Sequence, residues 1–300
     1  MHRRVGASGR NTGNDRPKRT TSQVYIALML FVRQYGNRGP QIVLLHGGPG
    51  APGHMAGVAR ELADTHRVLE PFQRGSGAEP LTVARHIEDL HEVVCSCAAD
   101  SPPVLLGSSW GAMLALAYAA THPTSTGPLI LVGCGTFDLE ARSKLHTTIE
   151  QRMNPKIRQQ LARATQIADV GERLKAVAHA ESPIYSYDAT EFPEGELFDA
   201  RAHHETWEDM VALQAQGVYP AAFAAVRVPV LMVHGTFDPH PGRLIRASLQ
   251  PHIAKLDYRE LERCGHYPWL ERAASAPFFS LIREWLGDHV GSVASGTSSQ

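Results

Sequence analysis

PVLLGSSWGAMLALAYAATHP, residues 103–123, sets the frame for the whole chain. A short apolar run ends in glycine, two serines follow, and an alanine-rich stretch suited to a helix begins at once. Ser109 has Gly107 two positions before it and Gly111 two positions after, whereas Ser108 has Leu106 and Trp110 in those places. Only Ser109 therefore fits Gly-x-Ser-x-Gly. In so tight a strand-to-helix turn, flanking glycines relieve crowding and the hydroxyl is projected from the sheet edge. The residue types leave two readings, a structural turn and a nucleophile. The strand before and the helix after supply the context that a nucleophile needs.

Similar apolar runs recur: QIVLLHGG, HRVLEPF, LILVGCG, VPVLMVHGTFDP and LDYRELERCGH. Helix-compatible segments such as TVARHIEDLHEVVCSCAA lie between them, and this alternation predicts an α/β fold with a mostly parallel sheet covered by helices on both faces. In such sheets ligands gather at the carboxyl ends of the strands. Ser109, Asp238 and His266 all follow predicted strand ends.

From about Gly135 to Val226 strand signals fade and charged, helix-compatible sequence takes over. The expected layout is a core of residues 23–135 and 227–290, interrupted by a helical segment at 136–226. That segment either covers the carboxyl edge as a cap or packs elsewhere as an extension. Residues 1–22 and 291–300 are polar and are expected to be disordered. The run VYIALMLFV has the length of a signal-peptide core and follows several arginines, but no Ala-x-Ala-like site comes after it, so it is expected to be a strand. It is too short to span a bilayer.

The 43% hydrophobic content is enough for a buried core. Twenty-nine basic against thirty acidic side chains leave a net charge of −1, so no overall field favours nucleic acid or an anionic membrane. A small molecule or short peptide is the expected partner, and oligomeric state has no signal. Cys95, Cys97, Cys134 and Cys264 lack zinc-site or disulfide-framework spacing, which suits a reducing, cytoplasmic setting. Cys95 and Cys97 are expected to be small buried or half-buried residues. His203, His204 and His240 come without a matched ligand set and are expected to be solvated, not metal-bound. No Gly-Lys-Ser/Thr follows HGGPG and no Gly-x-Gly-x-x-Gly opens a dinucleotide unit, so no cofactor is expected.

A serine needs a base, and the base works best when a third group holds its tautomer. His266 in ERCGHYPW follows the last predicted strand, and Asp238 in VLMVHGTFDPHPG lies in a turn after another. Each also has a bland reading, as a surface histidine and a turn-forming aspartate. The order Ser109, Asp238, His266 is the order associated with nucleophile elbows. A tetrahedral oxyanion needs fixed donors, for which the Trp110 and Gly48 amides are the candidates.

Through HGGPG, GSSWG, GTFDP and CGHYP, in that order, residues 24–290 resemble the α/β-hydrolase family. Together with QRGSG at 73–77 and Trp207-Glu208, they look most like its proline-iminopeptidase-type branch. The resemblance implies a catalytic triad of Ser109, Asp238 and His266, oxyanion amides at Gly48 and Trp110, no cofactor, and a helical cap. It further implies that a cap carboxylate, here Glu208 beside Trp207, recognises a free substrate amine. The chain departs from the branch at Phe72, where an aspartate is usual, and at His204, where a second tryptophan is expected. A solvated helix face accounts for Glu205, Glu208 and Asp209 equally well, and Arg74 either braces its loop or touches substrate. The expected activity is hydrolysis of an ester or amide through an acyl-enzyme, with an aminopeptidase, a small-molecule esterase or lactonase, and a slow ligand-binding protein as the alternatives.

Overall fold

A computed structural model of the chain describes residues 23–27, 30–50, 52–96, 101–190 and 198–290. The segments 1–22 and 291–300, expected to be disordered, lie outside the described residues. The strands are β1 (Gln23–Ala27), β2 (Leu30–Tyr35), β3 (Gln41–Leu45), β4 (Arg67–Pro71), β5 (Val104–Ser108), β6 (Leu129–Val132), β7 (Val230–Gly235) and β8 (Leu256–Leu261). Among the described residues they form one sheet in the order β1-β2-β4-β3-β5-β6-β7-β8. The pairs from β4 through β8 are parallel, and β2 joins β4 antiparallel.

The run VYIALMLFV differs from its expected form. It is split between β1 and β2, which pair antiparallel with Ala27 opposite Leu30. The reason lies in partner length: β2 registers Val32 to Tyr35 against β4, from Pro71 back to Val68. A single straight strand would run past the end of β4, whereas a reversal lets the earlier half pair its backbone groups with the later half.

Side chains of the central strands alternate between two apolar layers. Val43, Leu45, Leu105, Leu129, Leu131, Val230 and Met232 face one layer, while Ile42, Leu44, Leu106, Ile130, Val132, Leu231 and Val233 face the other. Helices α2 (Val83–Ser96), α3 (Trp110–Thr121) and α8 (Gly242–Leu249) close the first layer. The second is closed by α1 (Ala56–Leu62) and α9 (Ser275–His289). Strands buried on both faces carry continuous apolar sequence, which is why QIVLL and PVLL read as unbroken runs. Helix α3 is buried from Trp110 to Ala119 because it sits between the sheet, α2 and the short 221–225 turn.

Between β6 and β7 the chain leaves the sheet for α4 (Leu139–Arg152), α5 (Pro155–Ala164), α6 (Val170–Tyr185) and α7 (Ala200–Ala215). Each starts on an Asp or Asn whose side chain accepts an amide of the first turn: Asp138, Asn154, Asp169 and Asp199. Asp199 also fastens this segment to the core. Its Oδ2 accepts the Ser76 amide and hydroxyl at 2.8 Å each, and its own amide donates to the Gly50 carbonyl at 2.9 Å. Farther along α7, Glu205 accepts the Leu81 amide at 2.9 Å and Asp209 the Val83 amide at 2.7 Å, so two carboxylates receive the amides at the start of α2.

Replacing Asp199 by alanine removes both an N-cap and that fastening. In urea titrations Asp199→Ala is expected to lose about 1–2 kcal/mol, and more than Asp169→Ala, which removes an N-cap without the tie.

Candidate active site

β3 is flanked by β4 on one side and β5 on the other, so the loops leaving β3 and β5 diverge and open a crevice at their carboxyl ends. The loop after β3 is HGGPG, residues 46–50, and the turn after β5 holds Ser109. Ser109 has φ 54° and ψ −116°, in the left-handed region that a side chain adopts at a cost. Its amide donates to the Val132 carbonyl at 2.8 Å. The flanking glycines are forced by backbone proximity. A Cβ on Gly107 would stand 2.2 Å from the Gly111 carbonyl oxygen, and one on Gly111 would stand 2.0 Å from that of Leu45. Ser108 is fully buried, whereas Ser109 lines a cavity of about 560 Å³.

His266 lines the same cavity, and its Nδ1 lies 2.8 Å from Asp238 Oδ2. The loop after β7 is pinned by the Phe237 amide donating to the Cys264 carbonyl at 2.8 Å, which brings the Asp238 and His266 loops together. Gly133, at the end of β6 with φ 55°, has no room for a side chain, since a Cβ there would stand 2.8 Å from His266 Nδ1. Burial by itself would raise the Asp238 carboxyl. The adjacent His266 and His240 charges and their hydrogen bonds outweigh it and hold the group well below the usual carboxylate range.

His240 departs from the solvated position expected of it. Its amide and Nδ1 both reach Asp238 Oδ1, at 2.9 and 3.0 Å, and its ring stacks on His266 with centroids 4.4 Å apart. His203 is half-buried against the cavity, and of the three only His204 is exposed. Burial of His240 and His203 comes from the packing of distant segments, to which their sequence neighbours give no clue. Asp238, His240 and His266 are also the one cluster among the described residues compact enough for a metal ion. Here both ring Nδ1 atoms are engaged by the carboxylate.

Gly48 and Trp110 line the cavity beside Ser109. Trp110 opens α3, where the first amides have no intrahelical acceptor and the helix dipole favours negative charge. The far wall comes from the 136–226 segment, through Leu145, Ile149, Glu181, Tyr185 and Trp207. Glu208 is not brought to this wall. Its exposed side chain pairs with His204 at 3.3 Å. Glu181 faces the cavity instead, and burial raises its carboxyl above the usual range. Sequence reading missed it because nothing local separates it from the other glutamates of these helices.

Glu271 was equally hidden. Fully buried, its carboxylate accepts the Gly265, Tyr187 and Asp188 amides at 2.9, 2.8 and 2.7 Å, binding the His266 loop to the chain leaving α6. The His266 amide donates to the Tyr185 carbonyl at 2.7 Å across the same junction. Arg74 braces its loop, engaging both carboxylate oxygens of Asp89 on α2. Cys95, expected to be at least half-buried, is exposed, and Cys97 lies outside the described residues. Burial pushes the Cys264 thiol far up, which disfavours the thiolate a cysteine nucleophile needs. A second cavity of about 460 Å³, bordered by Tyr35, Arg60, Trp269 and Phe279, contains none of these groups.

The model of the Alpha/beta hydrolase family matches residues 42–276. A proline iminopeptidase of Lactobacillus helveticus is 27% identical over 288 residues, covering 86% of this chain and 94% of its own. A 2-hydroxy-6-oxononadienedioate/2-hydroxy-6-oxononatrienedioate hydrolase 2 of Pseudomonas putida is 25% identical over 279 residues, covering 86% and 92%. Among solved structures, the proline iminopeptidase of Mycobacterium smegmatis superposes with TM-score 0.59 at 17% identity, covering 90% of this chain and 98% of that one. A serine hydrolase of carbazole degradation gives 0.61 at 19%, covering 89% and 98%. At these identities the structural likeness speaks for the fold. Among the described residues no helix is long and apolar enough to cross a membrane.

Two outcomes are expected. Gly111→Ala, whose Cβ meets the fixed Leu45 carbonyl, should destabilise by at least about 3 kcal/mol in thermal or urea unfolding. Burial also pushes His46 down to about 3 and His86 and His234 down to about 4, so all three stay neutral in the folded state at pH values where the unfolded chain protonates them. Their stability contribution is complete above the unfolded pKa of about 6.5 and is lost as pH falls toward 4, with His46 continuing toward 3. Unfolding free energy measured by urea titration should therefore fall steeply with acid, and His86→Gln should remove about one proton from that slope.

Proposed function

This chain belongs to the alpha/beta hydrolase family, and on that premise we propose that it is a serine hydrolase, cleaving an ester or amide of a small molecule or short peptide through an acyl-enzyme. The observation that carries the reading is the 2.8 Å His266–Asp238 pair in the wall of the cavity that Ser109 enters on a left-handed turn. With Nδ1 committed to Asp238, the His266 Nε2 is the atom left to take the Ser109 proton as the hydroxyl attacks the carbonyl carbon. The amides of Trp110 and Gly48 receive the developing oxyanion, helped by the dipole of α3. His266 then delivers its proton to the leaving alcohol or amine, and afterwards activates the water that releases the acid. Asp238 keeps the ring in the Nδ1–H tautomer and stabilises its charged form.

Residues 136–226 act as the cap in this proposal and determine substrate choice. A substrate with a free amine, as an aminopeptidase would take, fits Glu181, a cavity-facing carboxylate whose raised pKa records a burial cost that a bound cation would offset. Tyr185 and Tyr267 border the same cavity and add ring faces that attract a cation. The relatives named proline iminopeptidase agree with this choice. The apolar surfaces of Leu145, Ile149, Phe198 and Trp207 favour the second reading, a neutral acyl compound handled by an esterase or lactonase. Among the described residues, free Cys95, Cys134 and Cys264 fit a cytoplasmic setting.

A fluorophosphonate should label the unmodified protein and Ser108→Ala but not Ser109→Ala, with mass mapping to the Ser109 peptide. Absence of labelling in folded protein would instead favour a binding protein. On an aminoacyl arylamide and its N-acetylated form, the aminopeptidase reading expects a free-amine preference that Glu181→Gln abolishes. Only the ionised carboxylate attracts the amine, so that preference should also decline as pH falls, starting above the usual carboxylate range. Equal rates on both substrates would leave the esterase reading.

A further inference from the structure

The two proposed oxyanion amides stand on separate segments, one after β3 and one after β5. Oxyanion stabilisation depends on donors held about 2.7–3.1 Å from a single point, so something must keep the two segments in register. One side chain bridges them. Gln73, just past the end of β4, donates its amide to His46 Nε2 at 3.1 Å and its Nε2 to the His46 carbonyl at 2.9 Å. Its Oε1 accepts the indole Nε1–H of Trp110 at 2.7 Å.

The polarity of this bracket is determined at each end. An indole nitrogen only donates and a carbonyl only accepts, so the Gln73 amide has one orientation that satisfies both. His46 is fully buried, and its Nδ1 lies 2.9 Å from the Gly47 carbonyl, so Nδ1 carries the proton and Nε2 accepts from Gln73. His46 immediately precedes Gly47 and Gly48, and Trp110 immediately follows Ser109. The neighbours of Gln73 are anchored too, Arg74 by Asp89 on α2 and Ser76 by Asp199 at the start of α7.

We infer that Gln73 is a positioning residue for the hydrolytic reaction: it locks the HGGPG loop to the Trp110 end of α3 and thereby sets the spacing of the Gly48 and Trp110 amides. The inference rests on the serine-hydrolase reading. Gln73 touches neither substrate nor reacting atoms in this scheme, so its loss should weaken transition-state binding and leave ground-state binding nearly intact.

The test uses the full chain, p-nitrophenyl acetate as substrate and phenylboronic acid as a tetrahedral mimic on Ser109. Gln73→Met keeps the length of the side chain and removes its polar atoms, while Trp110→Phe removes the indole donor and keeps the backbone amide. Each should lower kcat/KM about tenfold or more with KM within about twofold, and raise the boronate Ki by the same factor. The double variant should lose little beyond the worse single one, because both break the same bracket. If Gln73→Met fails to fold, Trp110→Phe alone is read by the same criteria. An unchanged Ki, a loss carried by KM, or strictly additive effects would overturn the inference while leaving Ser109 labelling intact. Absence of turnover and labelling in the unmodified protein would overturn the hydrolase reading and this inference with it.

Discussion

Everything at the site depends on how closely three backbones meet where β3, β5 and α3 converge. The space that a Cβ would need at Gly107 is occupied by the Gly111 carbonyl, and that at Gly111 by the Leu45 carbonyl. No side chain larger than hydrogen is compatible with this contact, so the chain turns from strand to helix within one residue. Ser109 bears the conformational cost at φ 54°. In return its side chain emerges at the switch point of the sheet, beside the HGGPG loop and at the N-terminus of a helix buried from Trp110 to Ala119. A looser junction would relieve the strain and move the hydroxyl away from the HGGPG loop.

The helical segment between β6 and β7 is joined to the core by carboxylates that accept backbone amides, as well as by apolar contact through Phe137, Met210 and Phe223. Asp199, Glu205 and Asp209 bind residues 76–83, and Glu271 binds the strand end of the His266 loop to the exit of α6. Hydrogen bonds to charged acceptors are directional and among the stronger ones available to a partly exposed junction. They tie the charged helices of residues 136–226 to the core that forms the other wall of the cavity. The same arrangement explains why so acidic a helix as α7 offers little free carboxylate to the cavity, and why Glu181 on α6 is the carboxylate that faces it.

Around Asp238 burial pushes His234 and His240 toward the neutral form, while the carboxylate pulls the other way. His234 is enclosed beside the carboxylate and pushed down to about 4. His240 and His266 share the two oxygens of one carboxylate, and at His240 that contact opposes the downward pull of burial without overcoming it. A carboxylate beside a ring at the cavity wall is what the proposed general base requires.

The elbow, the strand ends and the acid–histidine order were legible because their signals are local. Glycines two residues either side of Ser109, an apolar run before it, and turns after β7 and β8 are all readable within a dozen residues. Hydrophobic periodicity likewise determines which runs become buried strands. The hairpin of β1 and β2 was not legible, since its reversal depends on how far β4 extends beside β2. Gln73, Glu181 and Glu271 were hidden for the same physical reason, as was the stacking of His240 on His266. Their meaning lies in partners that sequence places far away, 27 residues from Gln73 to His46 and 84 from Tyr187 to Glu271. By itself the sequence determined the fold, the turn that raises Ser109 and the two loops that follow it with Asp238 and His266. Tertiary structure alone decided which carboxylate faces the cavity and what braces the site, because backbone propensity acts over a few residues whereas hydrogen bonding and burial are settled by whatever the folded chain brings within about 3 Å.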